Sequence, residues 1–151
     1  MKKIVLFIFG AAMMFIALNT AIAANPSVTV GQKEGIGSYL ADGSGKTLYW
    51  FKKDSKNTSA CTGACLEKWP AFFGGAVFTV PPSLKATDFG AMDRPDGKKQ
   101  STFRGYPLYY YAMDLKADDT NGHKINEVWF VIDPGKFPPV AKQDSGSPTA
   151  K

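Results

Sequence analysis

Few residues in this chain have the type and spacing that chemistry needs. Cys61 and Cys65 are the only cysteines, four apart, and His123 is the only histidine. An even cysteine count in an exported chain reads first as a disulfide. On one helical turn, positions i and i+4 lie about 6 Å apart, inside the Cα range a disulfide tolerates. So short a loop pins a local turn and does not hold a domain together. The other chemistry open to the pair is copper binding or electron exchange. Thiolates from Cys61 and Cys65 with His123, or with Met92 and Met113, are soft donors suited to Cu(I). A c-type haem is disfavoured, because Leu66 stands where its ligating histidine would follow the cysteines.

The carboxylates give less. Asp118-Asp119 and Asn121-Gly122 lie in one loop, but their spacing fits no standard calcium loop and no glutamate closes it. A polar hairpin loop is expected there. Asp54 and Asp114 sit at the ends of aromatic segments and are expected to cap turns. A single histidine without Gly-x-Ser-x-Gly supports no hydrolase triad, and neither a phosphate-cradling glycine loop nor His-Glu-x-x-His occurs. No catalytic residue is assigned, no cofactor is expected, and the chain reads as a non-enzyme.

The elements that position these residues come as a repeat. Gly45-Lys46-Thr47-Leu48-Tyr49-Trp50-Phe51-Lys52-Lys53-Asp54 returns sixty residues on as Gly105-Tyr106-Pro107-Leu108-Tyr109-Tyr110-Tyr111-Ala112-Met113-Asp114, and Trp69 returns as Trp129. Self-similarity at a fixed offset means one supersecondary unit used twice, each copy burying its apolar face with the other's help. Alternation puts Leu48 and Trp50 on one face, Tyr49 and Phe51 on the other, so the segment is a central strand covered on both sides. Leu108 to Tyr111 behaves likewise. Around them the sequence predicts short strands at Val28–Val30 (ended by Gly31), Ser38–Ala41, Lys46–Phe51, Ala76–Val80, Gln100–Phe103 and Trp129–Ile132. Asp42–Gly45 is a hairpin turn that pairs Lys46–Phe51 back against Ser38–Ala41, and Pro95–Gly97, Arg104-Gly105 and Asp133–Gly135 are further turns. A helical turn or two is predicted from Cys61 to Trp69, stopped by Pro70. The expected fold is mainly β. It is a single domain of two pseudo-equivalent antiparallel β-meander repeats, sandwich or barrel-like, with one short helix near the cysteines.

Residues 1–23 read as a secretory signal peptide: Lys2-Lys3, an apolar run from Ile4 to Leu18, and small residues at Ala21 and Ala23. About fifteen apolar residues fall short of the roughly twenty a membrane span needs. Residues 24–36 form a lead-in and 37–140 the two-repeat domain, with copies at about 37–80 and 88–134. Residues 141–151 form a disordered tail. Removing Lys2 and Lys3 leaves 16 basic against 13 acidic residues, a net of +3 with no basic stripe, which argues against a nucleic-acid partner.

Tyr39-Leu40, Thr47-Leu48-Tyr49, Asp54, Cys61, Cys65 and Trp69-Pro70 in the first copy, with Arg94, Asp96-Gly97, Gln100, Pro107-Leu108-Tyr109, Asp114 and Trp129 in the second, carry a resemblance. The stretch from Gly37 to Pro134 resembles a bacterial family of secreted repeats of unknown function, many of them lipoproteins. It departs by lacking the cysteine that relatives use for lipid attachment, so membrane anchoring is not carried over. The resemblance implies a fold and an exported protein, but no activity and no active-site residues. The function expected is that of an exported, periplasmic envelope binding or interaction module, with residence outside the cell as the alternative location. Its partner is an unidentified envelope protein or small ligand, and a monomer without a membrane span is expected. The alternative is periplasmic redox or copper handling through Cys61 and Cys65.

Overall fold

Alternating apolar residues at Leu48–Phe51 and at Leu108–Tyr111 give each segment two buried faces, and the rest of the chain is arranged around them. The computed structural model describes residues 27–138. The signal peptide read at 1–23 and the tail read at 141–151 lie outside the described residues. In chain order the elements are β1 (Val28–Lys33), β2 (Gly37–Asp42), β3 (Tyr49–Phe51), α1 (Cys65–Lys68), β4 (Phe89–Asp93), β5 (Lys99–Phe103), β6 (Tyr106–Pro107) and β7 (Trp129–Val131). The strands form three small antiparallel sheets, β1-β2, β3-β7 and β4-β5-β6. Leu48, Trp50, Leu108 and Tyr110 turn to one apolar cluster, built on Leu40, Phe72, Phe103 and Ile132. Tyr49, Phe51, Tyr109 and Tyr111 turn to the other, built on Trp69 and Trp129.

The two copies are interleaved. Tyr49 N donates to Tyr109 O at 2.8 Å and Tyr109 N donates to Tyr49 O at 3.0 Å, so equivalent residues face each other across a pseudo-twofold axis. Each aromatic segment then pairs with the tryptophan segment of the other copy. Lys52 N donates to Val128 O at 2.8 Å, and its counterpart Ala112 N donates to Lys68 O at 2.9 Å. Upstream the correspondence slips by one residue. Leu40 accepts from Leu48 N and donates to Ile132 O, while Ser101 accepts from Leu108 N and donates to Phe72 O. Leu40 therefore corresponds to Ser101, sixty-one residues on, because the connection from Leu40 to Leu48 is one residue longer than that from Ser101 to Leu108.

The structure departs from the sequence reading in four places. β1 runs through Gly31 to Lys33, paired along its length with β2. Gly31 makes room for a ring there: a Cβ on it would lie 2.3 Å from Tyr39 Cζ. Lys46–Phe51 does not pair along its length with β2. Only Thr47 bridges Ala41, and beyond it the strand crosses to β7. Ala76–Val80 is not a strand; Phe78 buries itself in the first cluster and only Thr79 bonds in ladder fashion, to Ser27. Finally, Cys61 is not on the helix. Gly63 has φ 54°, a left-handed conformation that cannot continue an α-helical turn, so α1 begins at Cys65.

Candidate functional site

Asp54 and Asp114 close equivalent turns, and each does more than cap. Asp54 Oδ1 accepts from Ala60 N at 2.7 Å and Asp114 Oδ1 from Asn121 N at 3.0 Å. Their other oxygens cross the pseudo-twofold axis. Tyr49 donates its hydroxyl to Asp114 Oδ2 at 2.6 Å, and Tyr109 donates to Asp54 Oδ2 at 2.8 Å. Burial drives both phenols far above their usual range, so they remain donors. Burial also pushes Asp54 up to about 6, against the lowering pull of the Ala60 N–H, the Tyr109 hydroxyl and Arg94. Asp114 is raised for the same reason, opposed by Tyr49. Every one of these carboxylate oxygens is committed, so the pair ties the copies together. Below them Trp69 and Trp129 stack at 3.8 Å with ring planes 3° apart, extended by Tyr111 on Trp69 and Phe51 on Trp129.

Arg94 marks one end of this network. Buried to 4% exposure, it donates to Ser59 Oγ at 3.0 Å, to Cys61 O at 2.8 Å and to Gln100 Oε1. Its Nε lies 3.5 Å from Asp96 Oδ2, an ion pair too long for a hydrogen bond. Cys61 and Cys65 are joined by a disulfide, with Cα atoms 5.4 Å apart, and both sulfurs are thereby used. At the other end, Asp118 accepts from the Tyr39 hydroxyl at 2.9 Å and Asp119 Oδ2 accepts from Leu115 N and Lys116 N. That loop is a polar turn, tied to the first copy by Tyr39, Thr47 and Gly45. Among the described residues no group of three or more His, Cys, Asp or Glu side chains stands together as a metal cage.

His123 lies elsewhere, in an open groove of about 440 Å³ lined by Trp50, Phe130 and Phe137 with Ile36, Lys52 and Lys136. β3 and β7 set Trp50 opposite Phe130. Phe137 packs edge-on to Trp50 at 5.1 Å, and its carbonyl is held by Arg104, itself paired with Asp88 at 3.0 Å. His123 Nδ1 accepts from Val131 N at 3.2 Å, and the ring meets Phe130 edge-on. Burial holds its pKa below the usual value, so at neutral pH it is neutral with its proton on Nε2. Asp133 is spent on Gly135 N and on Lys136. Beside His123, Lys124, Asn126 and Glu127 all have left-handed backbones, with φ of 66°, 52° and 54°. Such residues cost on the order of 1 kcal/mol each and cluster at ligand sites.

The equivalent place on the other copy is polar and closed. Tyr110, the counterpart of Trp50, donates its hydroxyl to Asp42 Oδ2 at 2.7 Å, and Lys46 Nζ lies 5.3 Å from its ring centroid. Where those residues stand, the groove side has Phe103 and Tyr106, with Tyr106 edge-on to Trp50 at 6.2 Å. The groove is thus a difference between the copies. Sequence reasoning placed His123 in a loop but passed over Lys52, Phe130 and Phe137. The mismatches Trp50/Tyr110, Lys52/Ala112 and Phe130/Pro70 are the signal that would have found the site. Arg94 entered only through the family resemblance, and Gln100 otherwise only as the start of a predicted strand.

The residue pattern of the family Lipoprotein_15, described as a secreted repeat of unknown function, matches residues 32–72 and 90–133, one match to each copy. No curated protein and no solved structure matches the chain. Among the described residues, no helix is long and apolar enough to cross a membrane.

Proposed function

The chain belongs to this family of secreted repeats of unknown function, and from that premise we propose that it is an exported, periplasmic module of the cell envelope that works by binding. One observation carries the reading. The groove at Trp50, Phe130 and Phe137 is open and aromatic, whereas the pseudo-equivalent place on the second copy is filled by its own hydrogen bonds. Its volume of about 440 Å³ is within the range of small-molecule sites. A binding role is also favoured over catalysis by the carboxylates of Asp54 and Asp114, whose oxygens are occupied by protein donors.

The test is fluorescence titration of the mature protein with N-phenyl-1-naphthylamine, a neutral apolar dye. Saturable one-to-one binding is expected, with energy transfer from the tryptophans. Phe130→Ser should weaken binding at least tenfold. Trp50→Phe, which keeps a ring in place, should preserve binding and lower the transfer without abolishing it, because Trp129 is the chain neighbour of Phe130 and still donates. Binding that is unsaturable, or untouched by Phe130→Ser in a variant whose near-ultraviolet circular dichroism is native, overturns the reading. Release by osmotic shock, against recovery from the medium, separates periplasmic from extracellular residence.

A further inference from the structure

The charged and polar side chains lining the groove are Lys52, Lys136, His123 and one carboxylate, Asp133. Lys136 pairs with Asp133 at 3.1 Å, and Asp133 Oδ1 accepts from Gly135 N at 3.0 Å, so that carboxylate already carries a donor on each oxygen and its charge is balanced locally. Lys52 lines the groove, its residue is exposed, and among the described residues no carboxylate or carbonyl pairs with its ammonium. His123 has given Nδ1 to the Val131 N–H, which leaves Nε2–H as a donor. The unspent groups of the groove are therefore one fixed positive charge and one neutral N–H donor, set beside an aromatic floor.

We propose, on the footing of the binding reading above, that the groove takes amphiphiles with an apolar body and a single anionic head, a carboxylate being the simplest. The body lies on Trp50, Phe130 and Phe137. The head is met by Lys52 Nζ and by His123 Nε2–H. A cationic head finds only a carboxylate already paired on the protein, and a neutral head gains one hydrogen bond without the charge. Lys52 is the counterpart of Ala112, so the charge is absent from the second copy at the place where the groove is also absent. The apolar body can come from an acyl chain or from an aromatic ring system; both present the same head chemistry, and the experiment separates them.

Displacement of N-phenyl-1-naphthylamine from the full mature chain tests the proposal, with dodecanoate, methyl dodecanoate and dodecyltrimethylammonium compared below their micellar concentrations. Dodecanoate should displace the dye at about one-tenth the concentration the other two require, the advantage of a partly exposed charge-assisted contact. Lys52→Gln should remove most of that preference, read as the ratio of the dodecanoate to the methyl dodecanoate displacement concentration on the same variant, and Lys52→Glu should turn the preference toward the cation. Comparing 1-naphthoate with dodecanoate decides between an aromatic and an acyl body. A flat order of head groups with the dye still bound overturns the proposal and leaves the groove reading standing. Failure of the dye to bind, whether because another part of this chain or a second copy fills the groove, overturns both.

Discussion

Asp54 should make this protein less stable as the pH rises from mildly acid to neutral, the reverse of ordinary acid denaturation. Its carboxyl sits at about 6 in the folded state against an ordinary value of 3.8. At about 1.4 kcal/mol per pH unit, that difference is worth about 3 kcal/mol. The sign follows from which state holds the proton. Below about pH 3 both states are protonated and the contribution is whole. Between about 4 and 6 the unfolded chain has ionised and the folded one has not, so stability drains away, and above about 6.5 nothing more is lost. Asp114, also raised, acts in the same sense. His123 acts in the opposite one: its lowered pKa gives stability above the unfolded value that is lost as pH falls. The assay is therefore a difference. Urea unfolding of the wild type and of Asp54→Asn between pH 4.5 and 7.5 cancels His123 and Asp114, which both proteins share. Over that window the difference should fall by about 2 kcal/mol, roughly 1 M in urea midpoint for an ordinary small domain, the remainder being lost below pH 4.5. A difference that is flat, or that grows with pH, would mean that Arg94 and the two donors outweigh burial, and the reasoning about the buried tie would be refuted.

Two further perturbations address the frame. Tyr49→Phe and Tyr109→Phe each strand a buried carboxylate oxygen and should each cost about 1.5–3 kcal/mol in thermal or urea unfolding; losses below 0.5 kcal/mol would show the cross-copy bonds to be idle. Replacing Cys61 and Cys65 together by serine should cost only about 2 kcal/mol, as for any loop this short. The same pair decides the copper alternative. Reduced protein titrated with Cu(I) should give no stoichiometric complex that depends on His123, whose Nδ1 is committed to Val131 N–H; a complex abolished by His123→Ala would make the pair a metal site.

What could be read in the chain was what depends on neighbours in sequence. The two-faced alternation at Leu48–Phe51 and Leu108–Tyr111, the turns at Asp42–Gly45 and Pro95–Gly97, and the capping by Asp54 and Asp114 are local, and all are present. The partner of each strand was not legible, because Tyr49 and Tyr109 are the same residue in the same setting. Pattern alone therefore cannot say whether an aromatic strand pairs within its copy or across. The helix start at Cys65 turned on the backbone of one glycine, Gly63, which carries no hydropathy signal. Ala76–Val80 has strand-like residues, yet burial of Phe78 competes with ladder pairing there and wins. The groove was the hardest to foresee. Its wall Phe137 is brought to Trp50 by Arg104 and Asp88, more than thirty residues upstream.

The interleaving of the copies has a consequence for the order in which the chain can become a folded object. Chains are made from the N-terminus. When the first copy alone has been synthesised, Tyr49 N, Leu40 N and Lys52 N have no acceptors, since Tyr109 O, Ile132 O and Val128 O do not yet exist. Asp54 waits for Tyr109, and Trp69 has no Trp129 to stack upon. The β1-β2 pair and the disulfide loop lie wholly within the first half, but neither apolar cluster is complete until β7 arrives close to the end of the described chain. The first copy must remain open through most of synthesis, a state a secreted protein needs to preserve until it has been passed across the membrane. The fold closes late, when the last tryptophan strand arrives.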